Sequence, residues 1–189
     1  LSEDVSALIQ NGPKEALALT TNTQPVMLVA GVAAWRVWRA EGGGMPTVLA
    51  GHSLGEYSAL VAAGALTLTQ AAPLVRFRAA AMQEAVPVGA GAMSAVLGLD
   101  AATIMRMCAE ITQAMNQAGE VVEAVNFNDP GQTVIAGSKA AVEQAGVALK
   151  AAGAKRVLPL PVSAPFHSSL MKPAAEKLKA KLAETVIAA

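Results

Sequence analysis

The sequence predicts an α/β protein built in two parts, and three observations carry that reading. A strand-length apolar run, Met45-Pro46-Thr47-Val48-Leu49-Ala50, ends in a glycine turn that leads straight into a helical pattern. That strand–turn–helix punctuation is the mark of α/β chains. From about residue 88 to 161, strand-length runs alternate with capped helical segments. The 189 residues are 53% hydrophobic and 15% charged, with 14 Lys+Arg against 14 Asp+Glu. A chain of that size and composition buries roughly 70% of the surface it exposes when unfolded.

Taken in order, residues 1–20 are helical in pattern and broken by Asn11-Gly12-Pro13. Thr23 is placed as an N-cap and Pro25 in the first turn of a helix over 25–41, which Gly42-Gly43-Gly44 ends. The run 47–50 is the expected strand, followed by a helix over 54–63 and another over 69–85. Gly89 and Gly91 mark a change of pattern. Strand 92–97 is followed by a helix capped by Asp100 and running to about Asn116, then strand 121–127. The turn Asn128-Asp129-Pro130-Gly131 leads into strand 132–136, a helix capped by Ser138 and closed by Gly153, and a final strand over 155–162. The order β-α-β-β-α-β over 88–161 is the split-βαβ or ferredoxin-like arrangement. It reads as a small subdomain inserted into a core formed by 1–87 and 162–189. A loop over 163–170 precedes a last helix from Lys172-Pro173.

Composition excludes several function classes. There is no basic excess to release counterions, and only 3% of residues are aromatic, which argues against a nucleic-acid surface. One cysteine, Cys108, excludes an internal disulfide, and with two histidines it leaves too few ligands for a typical structural zinc site. Mean hydropathy is +0.43, but the alanine-rich apolar stretches, such as 26–37 and 59–66, are too short or too rich in small residues to span a bilayer. The expected location is the cytoplasm and the expected assembly a monomer.

Gly51-His52-Ser53-Leu54-Gly55 fits G-x-S-x-G between the expected strand and the helix from 54, the setting of a nucleophile elbow. Small neighbours on both sides leave room for a strained serine. The helix N-terminus favours a developing oxyanion, with the Leu54 N–H as the donor. The alternative is a glycine-flanked serine in an ordinary turn; the strand–helix context favours the catalytic reading. A serine nucleophile needs a base. His52 is adjacent in the chain and, in extended backbone, faces away from the hydroxyl, which gives it a core or supporting role. His167, in the loop Pro165-Phe166-His167-Ser168, is the favoured base over a merely solvated loop histidine. No aspartate stands out as a third member. In helix 69–85, Arg76 and Arg78 point nearly opposite ways. Arg76 falls on a solvated face, whereas Arg78 shares the core-facing stripe with Leu74, Ala81 and Met82. A buried guanidinium needs an anion or several acceptors, so Arg78 either meets an internal carboxylate or receives one from a substrate. Cys108 reads as inert core.

Four motifs in order carry a resemblance across nearly the whole chain: Gly51-His52-Ser53-Leu54-Gly55-Glu56-Tyr57-Ser58-Ala59-Leu60, Phe77-Arg78-Ala79-Ala80-Ala81-Met82-Gln83, Asn126-Phe127-Asn128 with Pro130-Gly131-Gln132, and Ser163-Ala164-Pro165-Phe166-His167. The chain resembles the malonyl-CoA:acyl carrier protein transacylases. The resemblance implies an α/β-hydrolase-like core with a ferredoxin-like insert. It further implies Ser53 as acylated nucleophile, His167 as base, the Leu54 N–H in the oxyanion hole, and Arg78 on the free carboxylate of malonyl. Leu54 and Phe166 match the malonyl-selecting versions of the motifs. No cofactor or metal is implied; the partners are malonyl-CoA and acyl carrier protein. The family's amino-terminal strand with G-Q-G-S-Q, and the residue whose carbonyl orients the histidine, have no counterpart, so the chain is expected to be truncated at both ends. A serine esterase or thioesterase, and a catalytically incomplete fragment that binds carrier protein, are the competing readings.

Overall fold

The computed structural model describes residues 4–162 and 164–188. Ser163, which belongs to one of the four motifs, lies outside the described residues. The chain is mixed α/β and forms two compact units: Leu1–Ala81 with Glu176–Ala189, and Met82–Ala175.

The described part of the first unit is helical: α1 (Val5–Asn11), α2 (Lys14–Ala18), α3 (Thr20–Ala40), α4 (Gly55–Ala62) and most of α5 (Leu68–Glu84) and α8 (Lys172–Ala183). Its core joins Leu28 and Val32 of α3, Tyr57 of α4, Leu66, and Ala71, Leu74 and Val75 of α5, with Leu178 and Leu182 packed against them. The helix expected to begin at Pro25 begins five residues earlier. Thr20, Gln24, Pro25, Leu28 and Val32 form its buried stripe, and the burial of that stripe outweighs the local breaker signal of Pro25. Thr23 is not an N-cap: its hydroxyl donates back to the Leu19 carbonyl at 2.9 Å.

The strand expected over 47–50 does not form. The segment is irregular, with Val48 79% exposed. A strand exists through its ladder, and all strands among the described residues lie between Gly91 and Pro159. No described helix is long and apolar enough to cross a membrane.

The second unit holds β1 (Gly91–Leu97), α6 (Ala101–Met115), β2 (Val122–Asp129), β3 (Gln132–Ser138), α7 (Lys139–Ala151) and β4 (Arg156–Pro159). They form one antiparallel sheet in the order β2-β3-β1-β4. Alternation along the strands gives two apolar faces. Val96, Val122 and Ile135 pack with Ile104, Cys108 and Ile111 of α6 and with Ala141, Val142, Ala145 and Leu149 of α7. On the opposite face, Met93, Ala95, Val134 and Ala136 are covered by Val125, Leu160, Val162 and Phe166. The segment that follows β4 therefore belongs to the sheet unit. Asp100 caps α6 as expected, accepting the Thr103 N–H at 2.8 Å. Ser138 stands at the α7 N-cap position but does not cap; its hydroxyl oxygen accepts the Val121 N–H at 3.1 Å. β4 stops at Pro159, three residues short of expectation, because Pro159 and Pro161 lack the N–H that a longer ladder needs.

Candidate active site

Ser53 sits in the turn ahead of α4 at φ 52°, one of two non-glycine residues in the left-handed region among the described residues. That conformation costs about 1–3 kcal/mol and persists where the surroundings over-determine it. Gly51 is the determinant. A Cβ there would lie 1.9 Å from the Gly55 carbonyl carbon and 2.2 Å from the Glu56 nitrogen, so the turn closes only around glycine. Gly55 is different: a Cβ on it would meet nothing within 4 Å. Of the two glycines expected to be needed, the structure requires only the first for space. The first turn of α4 is wound by N–H bonds from Gly55 to His52 (2.8 Å), Glu56 to Ser53 (3.3 Å) and Tyr57 to Leu54 (3.0 Å). The Leu54 N–H meets no acceptor among the described residues and lies next in chain to the Ser53 hydroxyl, at the positive end of the helix.

Arg78 is 8% exposed and reaches the serine from α5. Its Nη2 donates to Ser53 Oγ at 3.0 Å and its Nη1 donates in a short bond to Gln24 Oε1. The guanidinium lies 5.7 Å from the centroid of the Tyr57 ring. All of these contacts are neutral, and no carboxylate forms an ion pair with Arg78 among the described residues. Burial lowers its pKa below the ordinary guanidinium value, against the opposing pull of Tyr57 and Glu56. Burial likewise raises the Tyr57 phenol, with Arg78 opposing and Glu56 adding to the rise. A buried cation with only neutral partners is costly unless an anion visits it. Gln24 is held in turn by its Nε2 donating to Thr20 Oγ1 at 3.1 Å.

Three sequence readings change here. Arg76 is half-buried rather than solvated, donating to Asn22 Oδ1 at 3.1 Å. His52 is exposed and has no place in the core, because the turn directs it outward. Gln24, Thr20 and Tyr57 were missed. The signal for the first two was the polar run Thr20–Gln24 heading an otherwise apolar helix; Tyr57 follows the serine by one helical turn.

His167 and Phe166 belong to the other unit. His167 is exposed and is the second non-glycine residue at positive φ, 67°. It stands at the tip of a tight turn. Pro165 is fully buried, Ser168 is 5% exposed, and the Ser168 hydroxyl donates to the Pro165 carbonyl at 2.7 Å. Gly91 admits this turn, since a Cβ there would come 2.3 Å from the Pro165 ring. Phe166 packs on the apolar sheet face beside Met93 and Val134. Cys108 is buried as expected; burial first, and Glu123 second, push its thiol up to about 11. A cavity of about 910 Å³ between α7 and β4 is lined by none of Ser53, Leu54, Arg78, Phe166 and His167, whereas one of about 290 Å³ lies beside the serine turn and is lined by Gly51, Glu56 and Leu60. Chemistry rather than size marks the site: a strained serine, a free N–H and a buried cation converge.

A serine at positive φ at the start of a helix, with a guanidinium on its hydroxyl, is an arrangement that acyl transfer can use. Residues 3–189 match the model of the acyl transferase domain, and the chain belongs to that family. It is 57% identical over 189 residues to the malonyl CoA-acyl carrier protein transacylase of Salmonella typhimurium, covering 100% of this chain and 60% of the relative. The chain thus spans about 60% of the length of that relative. The crystal structure of an acyl-carrier-protein S-malonyltransferase from Burkholderia pseudomallei superposes with a TM-score of 0.94 at 59% identity, covering 100% of this chain and 60% of that one. A malonyl-transacylase in complex with a type II PKS acyl-carrier protein superposes with a TM-score of 0.93 at 56% identity, covering 98% and 58%.

Proposed function

We propose that this protein transfers a malonyl group from malonyl-CoA to the phosphopantetheine thiol of acyl carrier protein, by a ping-pong route through a malonyl ester on Ser53. The observation that carries this reading is the buried Arg78, paired among the described residues with neutral groups only and bonded to the Ser53 hydroxyl. A general esterase has no use for a cation there; a substrate with a free carboxylate supplies its missing anion. The family, the names of the relatives and the carrier-protein complex of one of them support the same reading.

In the proposed first step Arg78 grips the malonyl carboxylate, and His167 takes the proton from Ser53. The hydroxyl oxygen forms a bond to the thioester carbonyl carbon. The Leu54 N–H receives the negative charge that develops on the carbonyl oxygen. The C–S bond then breaks, and the imidazolium returns its proton to the leaving CoA thiolate. In the second step His167 deprotonates the carrier thiol, whose sulfur attacks the ester; the bond from the acyl carbon to Ser53 Oγ breaks, and the imidazolium returns the proton to the serine oxygen. Phe166 is assigned to the acyl pocket. A thiolate leaves readily, so the reaction as proposed calls for no metal or cofactor. The finer fold reading, an α/β-hydrolase-like core carrying a ferredoxin-like insert, is part of this proposal, as are a cytoplasmic location and a monomeric state. The test is intact-mass spectrometry of the whole protein after mixing with malonyl-CoA. A malonyl adduct that maps to Ser53 and is lost in Ser53→Ala is expected; an unmodified serine refutes the proposal.

A further inference from the structure

We propose that Glu123 is a positioning residue for the His167 turn. It acts by accepting the backbone N–H of Ser169. The proposal rests on the reading above that His167 is the base, and it adds a residue that none of the sequence motifs contains.

Glu123 lies on the edge strand β2, opposite Ala136 of β3. Cross-strand partners share a face, so Glu123 projects from the apolar side formed by Met93, Ala95, Val134 and Ala136, next to Val125. A half-buried carboxylate on such a face is costly unless a donor meets it. The donor comes from 46 residues away: the Ser169 N–H reaches Glu123 Oε2 at 2.5 Å.

Ser169 opens a 3-10 turn, Ser169–Met171, that runs directly into α8. The residue placed to cap that turn is Ser168, and it makes no side-chain cap. Its hydroxyl faces the other way, onto the Pro165 carbonyl. Glu123 therefore takes over the capping of the turn from a distant strand, with the stronger acceptor of the two types. The consequence falls on His167, whose left-handed backbone is enclosed between these two bonds. The Ser168 bond closes the turn internally. The Glu123 bond ties it to β2, on the sheet face where Phe166 packs. A residue in that strained conformation relaxes when its anchors go, and a displaced imidazole slows proton transfer without altering how malonyl-CoA binds.

Five forms of the intact protein test this: wild type, Glu123→Ala, Glu123→Gln, Ser169→Pro and the double variant that combines Glu123→Ala with Ser169→Pro. Ser169→Pro deletes the donor; proline is tolerated at the first position of a helical turn, and Ser168 is extended at ψ 169° as a residue before proline must be. Glu123→Ala and Ser169→Pro are expected to slow formation of the malonyl-enzyme about tenfold at unchanged KM, and Glu123→Gln, which keeps an acceptor oxygen, by no more than about threefold. Combined, Glu123→Ala and Ser169→Pro should be no slower than either alone, because both remove one bond. Amide exchange in the peptide 164–171 should quicken in Glu123→Ala and not in Glu123→Gln. Wild-type acylation and exchange in Glu123→Ala, or additive losses in the double variant, would overturn the proposal. Exchange is read on the resting protein, so it still decides the tether if wild type itself forms no malonyl ester, an outcome that refutes the functional reading instead.

Discussion

Replacing Arg78 with alanine is expected to slow acylation by malonyl-CoA about 10²-fold while leaving acetyl-CoA nearly unaffected, and the size of the effect follows from the site. The guanidinium is 8% exposed, so solvent screens it little. Its two forks hold neutral acceptors, Gln24 Oε1 and Ser53 Oγ. A neutral hydrogen bond contributes about 1 kcal/mol net and one to a charged group about 1.5–3 kcal/mol. Exchanging two neutral partners for the two oxygens of a carboxylate therefore gains about 1–4 kcal/mol, centred near 2.5, which is nearly two decades in rate. Acetyl-CoA offers no carboxylate, and its rate should change by no more than about threefold. The assay is kcat/KM for acyl-enzyme formation with each thioester, in wild type and in Arg78→Ala. Equal losses with both would refute the argument. They would mean that Arg78 serves only to orient Ser53. Arg78→Lys should recover part of the malonyl rate, because the charge remains and the planar fork does not.

The two elbow glycines should separate sharply. Gly51→Ala puts a methyl into the backbone of Gly55 and should abolish acylation with a loss of at least about 2 kcal/mol in urea unfolding, whereas Gly55→Ala, which meets open space, should keep stability and most activity. Ser53→Gly should be more stable than Ser53→Ala by about 1 kcal/mol, seen as a higher Tm, since both lose the hydroxyl but only glycine relaxes at φ 52°. Cys108 yields a pH prediction. Its folded pKa of about 11 lies above the reference 9.0, so the folded state holds the thiol proton more tightly. That stabilisation is complete below pH 9 and is lost as pH rises through 11. Comparing urea midpoints at several pH values, wild type should lose up to about 2 kcal/mol relative to Cys108→Ala across that window, and the thiol should resist alkylation at pH 8 until the protein unfolds.

The candidate site was legible in the sequence where chemistry sits in short patterns. G-x-S-x-G locates a serine at a helix start from five consecutive residues. The helical period places Arg78 on the buried stripe of α5 with no knowledge of what it meets. The same local reasoning failed where a partner decides. The segment 47–50 has the apolar run of a strand and no ladder. Pro25 looks like a helix start and lies inside one, and Arg76 looks solvated yet holds Asn22.

The sequence by itself determined the order of helices and strands in the sheet unit, the serine at a helix start and the presence of a buried cation, because period, caps and glycine turns act within a few residues. Only the tertiary structure decided that Arg78 touches Ser53 and finds Gln24 rather than a carboxylate, that Gly51 and not Gly55 is sterically required, and that Glu123 reaches Ser169. The contacts of Arg78 and Glu123 join residues whose separation is set by how elements pack, and the Gly51 contact depends on the exact path of a turn; no local sequence pattern encodes either.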